Sequence, residues 1–108
     1  MSWQTTLRNL LNGYLGDRTI EEGVEEMVFV TESNPDYHRL YFSAIEEGIE
    51  AASQGKPEMI EMIRGSYAWY VKDTKDVREF LERLRAEYMT QYEAATAGND
   101  ISNARHVV

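Results

Sequence analysis

Apolar residues recur at spacings of three and four along most of this chain, the period of a helix that buries one face. Trp3, Leu7, Leu10, Leu11 and Tyr14 predict a first helix from near Ser2 to about Gly16. After a Gly16-Asp17 turn, Thr19 followed three residues later by Glu22 has the form of a capping box. In the second helix Ile20, Val24, Met27, Val28 and Thr31 share one side, and Glu21, Glu22, Glu25 and Glu26 share the other. Its end is open, because the β-branched and aromatic run Val28 to Thr31 also suits a short extended piece.

Asn34-Pro35 supplies a cap and a proline with preset φ, so a third helix should run from there to about Ser53. Tyr37, Leu40, Tyr41, Ala44 and Ile45, with Gly48 or Ile49, form its core face, and Gly55 suits a left-handed cap after it. Pro57 opens a fourth helix carrying Met59, Ile60, Met62 and Ile63, which ends or breaks at Gly65. The aromatic segment Tyr67 to Val71 is either a further helical turn or a loop folded on the core. In the last helix Asp73 and Asp76 make the cap, and Val77, Phe80, Leu81, Leu84, Tyr88, Tyr92 and Ala95 keep helical spacing. Glu79 and Arg83 stand in the favourable i, i+4 order on its outer face. Gly98 should end it, leaving residues 99–108 as a polar, mobile tail. The expected fold is all-α: a compact bundle of about five helices in one domain, residues 1–98.

Composition narrows the function. With 108 residues, 43% of them hydrophobic, the chain has material for one core. It has no cysteine, which removes disulfides, thiolate zinc sites and thiol nucleophiles and suits a reducing compartment. The opening MSWQTTLRNLL reads as neither signal peptide nor anchor, and no apolar run is long enough to span a bilayer, so a cytoplasmic location is expected. The net charge of −8 repels phosphate backbones and anionic membranes alike, which argues against direct nucleic-acid or membrane binding. The acidity is concentrated: Asp17 to Glu61 holds 12 acids and 3 bases, whereas Met62 to Val108 holds 7 of each.

Catalytic patterns are sparse. The only histidines are His38 and His106, and neither belongs to the Glu-x-x-His pair of a carboxylate-bridged metal site. Glutamates one turn apart, such as Glu21/Glu25, Glu22/Glu26 and Glu46/Glu50, fit a solvated face better than an ion site. The glycines are scattered singly, without the strand-loop-helix setting of a phosphate loop. No catalytic residue, metal ligand or cofactor is assigned, and a small metal-dependent enzyme remains the least supported alternative.

Binding has more support. Glu21, Glu22, Glu25 and Glu26 on one helix and Glu46, Glu47 and Glu50 on the next form two dense acidic groups. Like charges one turn apart cost helix stability, which a basic partner offsets. Tyrosines at the edge of such a surface are suitable anchors. Tyr37, Tyr41 and a tyrosine near position 70 are the candidates, although Tyr37, Tyr41, Trp69, Phe80 and Tyr88 also lie at core spacing.

LLNGYLGD at Leu10 to Asp17, IEEGVEEMV at Ile20 to Val28 and YVKDTKDVREFLERL at Tyr70 to Leu84 together resemble a known family. It is that of the small helical immunity proteins of bacterial contact-dependent growth inhibition systems. The likeness spans roughly Leu7 to Met89. It implies a non-enzymatic cytoplasmic inhibitor that binds one cognate toxin domain, often a nuclease, whose basic surface an acidic helical face would cover. On that reading Glu21, Glu22, Glu25, Glu26, Glu46, Glu47 and Glu50 face the toxin, with Tyr37 and Tyr41 as apolar anchors. An acidic adaptor, antitoxin or DNA-charge mimic is the alternative.

Overall fold

Ser2 accepts the Thr5 N–H and starts α1 (Trp3–Leu10), which runs on into a π-helical turn over Leu11–Leu15. The turn keeps Leu11 and Leu15 buried and leaves Tyr14 half-buried at its edge. The computed structural model describes residues 2–107, with side chains over 2–97. Thr19 and Glu22 form the expected capping box at the head of α2 (Ile20–Thr31). The open question at its tail is settled as helix: Val28 and Thr31 turn inward with Ile20, Val24 and Met27, so the burial of a helical stripe prevails over the β propensity of these residues.

Asn34 caps α3 (Pro35–Ser53), with Pro35 in its first turn, and Gly55 takes a φ of +76° in the link that follows. Two members of the expected α3 core face lie at its margin instead. Tyr37 is 46% and Leu40 40% exposed, while Ala44, Ile45 and Gly48 are buried together with Ala51 and Ala52. The first turns of α3 project beyond the helices that cover the rest of it. After α4 (Glu58–Gly65) the aromatic segment is a loop, anchored by buried Ala68 and Val71. α5 (Thr74–Val107) is opened by reciprocal bonds: Asp73 Oδ1 accepts the Asp76 N–H at 2.8 Å, and Asp76 Oδ2 accepts the Lys72 N–H at 3.0 Å. The helix bounds include Gly98, and the expected tail of 99–108 lies outside the residues whose side chains are described.

These five helices, with no strand among the described residues, form one bundle in which α5 packs on both α2 and α3. α1 covers α3, and α4 closes against α5. Two glycines set the closest approaches. A Cβ on Gly23 would stand 2.5 Å from the Tyr14 carbonyl oxygen, and one on Gly48 would press into Leu7 and Leu81. The three long helices meet at Tyr88, which is fully buried. Its hydroxyl donates to Thr31 Oγ1 on α2 at 2.9 Å, and the same oxygen lies 2.8 Å from His38 Nδ1 on α3. Because the single phenolic proton goes to Thr31, the imidazole donates from Nδ1.

Two substitutions test this packing by urea unfolding. Gly23→Ala should lose about 1–3 kcal/mol because backbone stands in the way, whereas Gly13→Ala, where open space surrounds the new methyl, should be neutral or gain about 0.5 kcal/mol. Tyr88→Phe should cost about 1–3 kcal/mol by leaving the His38 N–H and Thr31 hydroxyl without their partner.

Candidate protein-binding surface

On α2 the inner stripe and the outer carboxylates are dictated by the same 3.6-residue period. Taking Ile20 as the buried origin, a turn of about 100° per residue places Glu25 and Glu22 on the far side, with Phe29 between them at about 180°. Phe29 is accordingly 77% exposed, a phenyl ring at the centre of a face otherwise built of glutamates.

The carboxylates around it are not equivalent. Glu22 accepts the Thr19 N–H at 3.1 Å and the Thr19 hydroxyl at 3.0 Å, and these bonds, the backbone one foremost, hold its pKa below the usual 4.5. Its charge already serves the helix cap. Glu26 pairs with Arg18 at 2.5 Å and Glu21 with Arg83 at 3.7 Å, exposed contacts worth little in water. Glu25 has no ion pair among the described residues.

The acids of α3 do not join this face. Glu46 pairs with Arg85 at 3.4 Å, and Glu47 and Glu50 are exposed on the same helix, with Glu50 accepting from Gln54. Arg83 and Arg85 are two positions apart on α5, hence about 200° apart around its axis. The α2 and α3 acids therefore flank α5 on opposite sides. The two acidic groups read from the sequence thus lie on separate faces, because α5 lies between α2 and α3.

One groove adjoins Phe29, and a second meets it at Tyr14. The first, about 610 Å³, lies between α2 and α5 and is bordered by Phe29, Val30, Glu25, Glu26 and Glu32, with Gln91 and Ala95 opposite. The second, about 430 Å³, lies between α1 and α3, lined by Leu10, Tyr37, Leu40 and Tyr41. Tyr14 is a wall of both. Its hydroxyl lies 3.2 Å from that of Tyr41, and the rings meet edge to face at 6.1 Å. Burial, then the bond to Tyr14, raises the Tyr41 pKa well above its usual 10, so the Tyr41 phenol stays neutral. Tyr37 leans on Tyr41 at 6.0 Å. The two tyrosines singled out from the sequence thus belong to one apolar depression, which meets the acid-bordered groove of α2 at Tyr14.

A second exposed aromatic group sits on the α4–α5 loop, with Tyr67 78%, Tyr70 73% and Trp69 43% exposed. Trp69 lies at core spacing but stays partly in water, stacked on Phe80 at 5.6 Å and under the Arg83 guanidinium. Arg83 is drawn there and to Glu21, so the expected Glu79–Arg83 pair gives way to Arg78–Glu82 at 3.4 Å. The depressions beside this loop mix Arg64, Lys72 and Arg83 with Asp17, Asp76 and Glu79, leaving no charge bias. In the Phe29 groove every charged lining residue is acidic: Glu25, Glu26 and Glu32.

His38 is half-buried, its ring stacked on Tyr92 at 3.8 Å with an interplanar angle of 2°. Burial and the neighbouring Arg39 charge lower its pKa from the usual 6.5. The hydroxyl beside it belongs to Tyr88, whose pKa burial pushes up to about 12, so it offers no reactive oxyanion. No cluster of three or more His, Asp or Glu is placed to hold a metal among the described residues, and no described helix is long and apolar enough to cross a membrane.

Comparison with known proteins finds no family model, curated protein or solved structure that matches the chain. Sequence reasoning missed Phe29, Leu40, Glu32 and Tyr14 as surface elements. For Phe29 the signal was present, since it lies opposite the stripe that assigned the acids to the outside. For Tyr14 and Leu40 it was not, because their spacing is that of core residues.

The lowered His38 pKa carries a sign. The unfolded chain takes up a proton on His38 as pH falls through about 6.5 while the folded chain resists it, so stability should decline from about pH 7 toward pH 5. His38→Phe keeps an aromatic ring against Tyr92 and should show a shallower decline over that range in denaturant titrations. Equal slopes for the two proteins would refute the assignment.

Proposed function

We propose that this chain is an immunity-type inhibitor, a protein that binds and neutralises a cognate toxin domain, and that the outer face of α2 is its working surface. The observation that carries this reading is Phe29, held 77% exposed among Glu21, Glu22, Glu25 and Glu26 beside an acid-rimmed groove. An isolated acidic face needs only solvent. A phenyl ring at its centre, beside an apolar groove and ringed by carboxylates, has the aromatic centre and charged surround of an interface anchor.

A nuclease toxin presents cations to its substrate, and carboxylates placed around Phe29 would meet them while the ring fills an apolar recess. Electrostatic attraction would speed the encounter and make it sensitive to salt. The resemblance at Leu10 to Asp17, Ile20 to Val28 and Tyr70 to Leu84 points the same way. The neutralised toxin would be met in the cytoplasm. The acids of α3, separated from this face by α5, are not needed for the contact.

The test is capture from lysate of the source strain with the tagged protein, washed at low and then high salt. One basic toxin domain should be retained, and purified toxin should lose activity when the protein is added. Glu25→Lys is the informative variant, since Glu22 serves the helix cap and Glu26 already has Arg18. It should weaken binding about tenfold or more while leaving the unfolding midpoint within about 0.5 kcal/mol of the parent. Release of many basic proteins together by salt would replace this function with that of a charge mimic, and a toxin left active by a saturating amount of the protein would end it.

A further inference from the structure

The acid-rimmed groove at Phe29 and the neutral groove at Leu40 share Tyr14 as a wall, so one extended partner element can lie across both. We propose that the two grooves together form the seat for a basic amphipathic helix of the partner, which places one apolar side chain on each side of Tyr14. This rests on the reading of the chain as a toxin-binding protein and specifies how the toxin would be recognised.

Charge distinguishes the two ends of the seat. Glu25, Glu26 and Glu32 border the first groove, and only Glu26 is drawn aside, by Arg18. The second groove has no charged residue in its lining, and the nearby Asp36 and Arg39 pair with each other. A fitting helix is therefore basic around its first apolar anchor and uncharged around its second. Lysine and arginine suit the first end doubly, since their stems pack along Phe29 while their heads reach the carboxylates.

The apolar contacts are already arranged. Tyr14 and Tyr41 hold each other through their hydroxyls, and Tyr37 rests on Tyr41, so the wall between the grooves is fixed before a partner arrives. An amphipathic helix lies in a hydrophobic groove by setting successive apolar anchors on one face, and one on each side of Tyr14 fits that mode. Side chains held in place in advance also lose less entropy on binding. An acidic or uniformly polar segment satisfies neither end.

The probe is a synthetic 14-residue peptide with leucines at helical spacing, lysines between them in one half and glutamines in the other, titrated into the full chain by calorimetry at low salt and at about 0.15 M salt. Saturable one-to-one binding that weakens with salt is expected. Phe29→Ala and Leu40→Ser, both at exposed positions, should each weaken it about fivefold to tenfold, and Glu25→Lys should do so at low salt most of all. A peptide of the same composition with the leucines scrambled should bind at least tenfold more weakly. Equal binding of the scrambled peptide, or indifference to Phe29→Ala and Leu40→Ser, would reduce the contact to charge alone and overturn the seat. So would absence of binding, or concentration-dependent association of the chain with itself that Phe29→Ala abolishes. Toxin captured and neutralised with the same affinity by the Phe29→Ala, Leu40→Ser double variant would leave the inhibitory function standing and remove only this account of it.

Discussion

The hydroxyl of Tyr88 is where the three long helices are tied. A phenol with no exposed surface must have its polar atom satisfied inside the protein. Here the partners come from two other helices, Thr31 near the end of α2 and His38 near the start of α3. Apolar packing alone would allow α2 and α3 to slide along α5 with small loss. Two directed bonds to one oxygen fix their register, and the stack of His38 on Tyr92 adds a flat surface that resists rotation. What lies outward on α2 and on the first turns of α3 follows from that register.

The candidate surface is a consequence of this arrangement. Once Thr31, Met27 and Val24 are turned toward α5, the opposite side of α2 must carry Glu22, Glu25 and Phe29. Once His38 is turned toward Tyr88, the neighbouring Tyr37 and Leu40 emerge beside Tyr14. Gly23 allows α2 to approach the π turn closely enough that Tyr14 can border both grooves. The same packing separates the two acidic groups, since α5 stands between the helices that bear them. A chain with a net charge of −8 thus has an acidic face with an apolar centre on α2 and a separate acidic stretch on α3.

Most of the architecture could be read from the chain because its punctuation is local. Thr19 with Glu22, Asn34 with Pro35, Gly55, and Asp73 with Asp76 each act on backbone groups within a few residues, so their meaning does not depend on the rest of the fold. The amphipathic stripes are equally local, which is why the inner faces of α2 and α5 agree with their spacing residue by residue. The uncertain places were those where local preference and burial disagree, as at Val28 to Thr31, where the need to bury a helical stripe overrode β-branched residues.

Spacing determined which residues of each helix face inward, but not how much of each inward face another helix covers. Tyr37, Leu40 and Trp69 keep core spacing yet stay partly in water, because coverage depends on where a distant segment ends. Pairing of charges across the bundle was likewise outside local reach: Arg83 turns to Glu21 and Trp69 instead of Glu79, and Arg85 turns to Glu46. Helix content, caps, core stripes and the acidity of the middle of the chain were determined by the sequence alone, since each depends on neighbours along the backbone. The junction at Tyr88, the grooves on either side of Tyr14 and the separation of the acidic faces were decided by the tertiary structure, because each depends on how rigid helices far apart in sequence come to lie against one another.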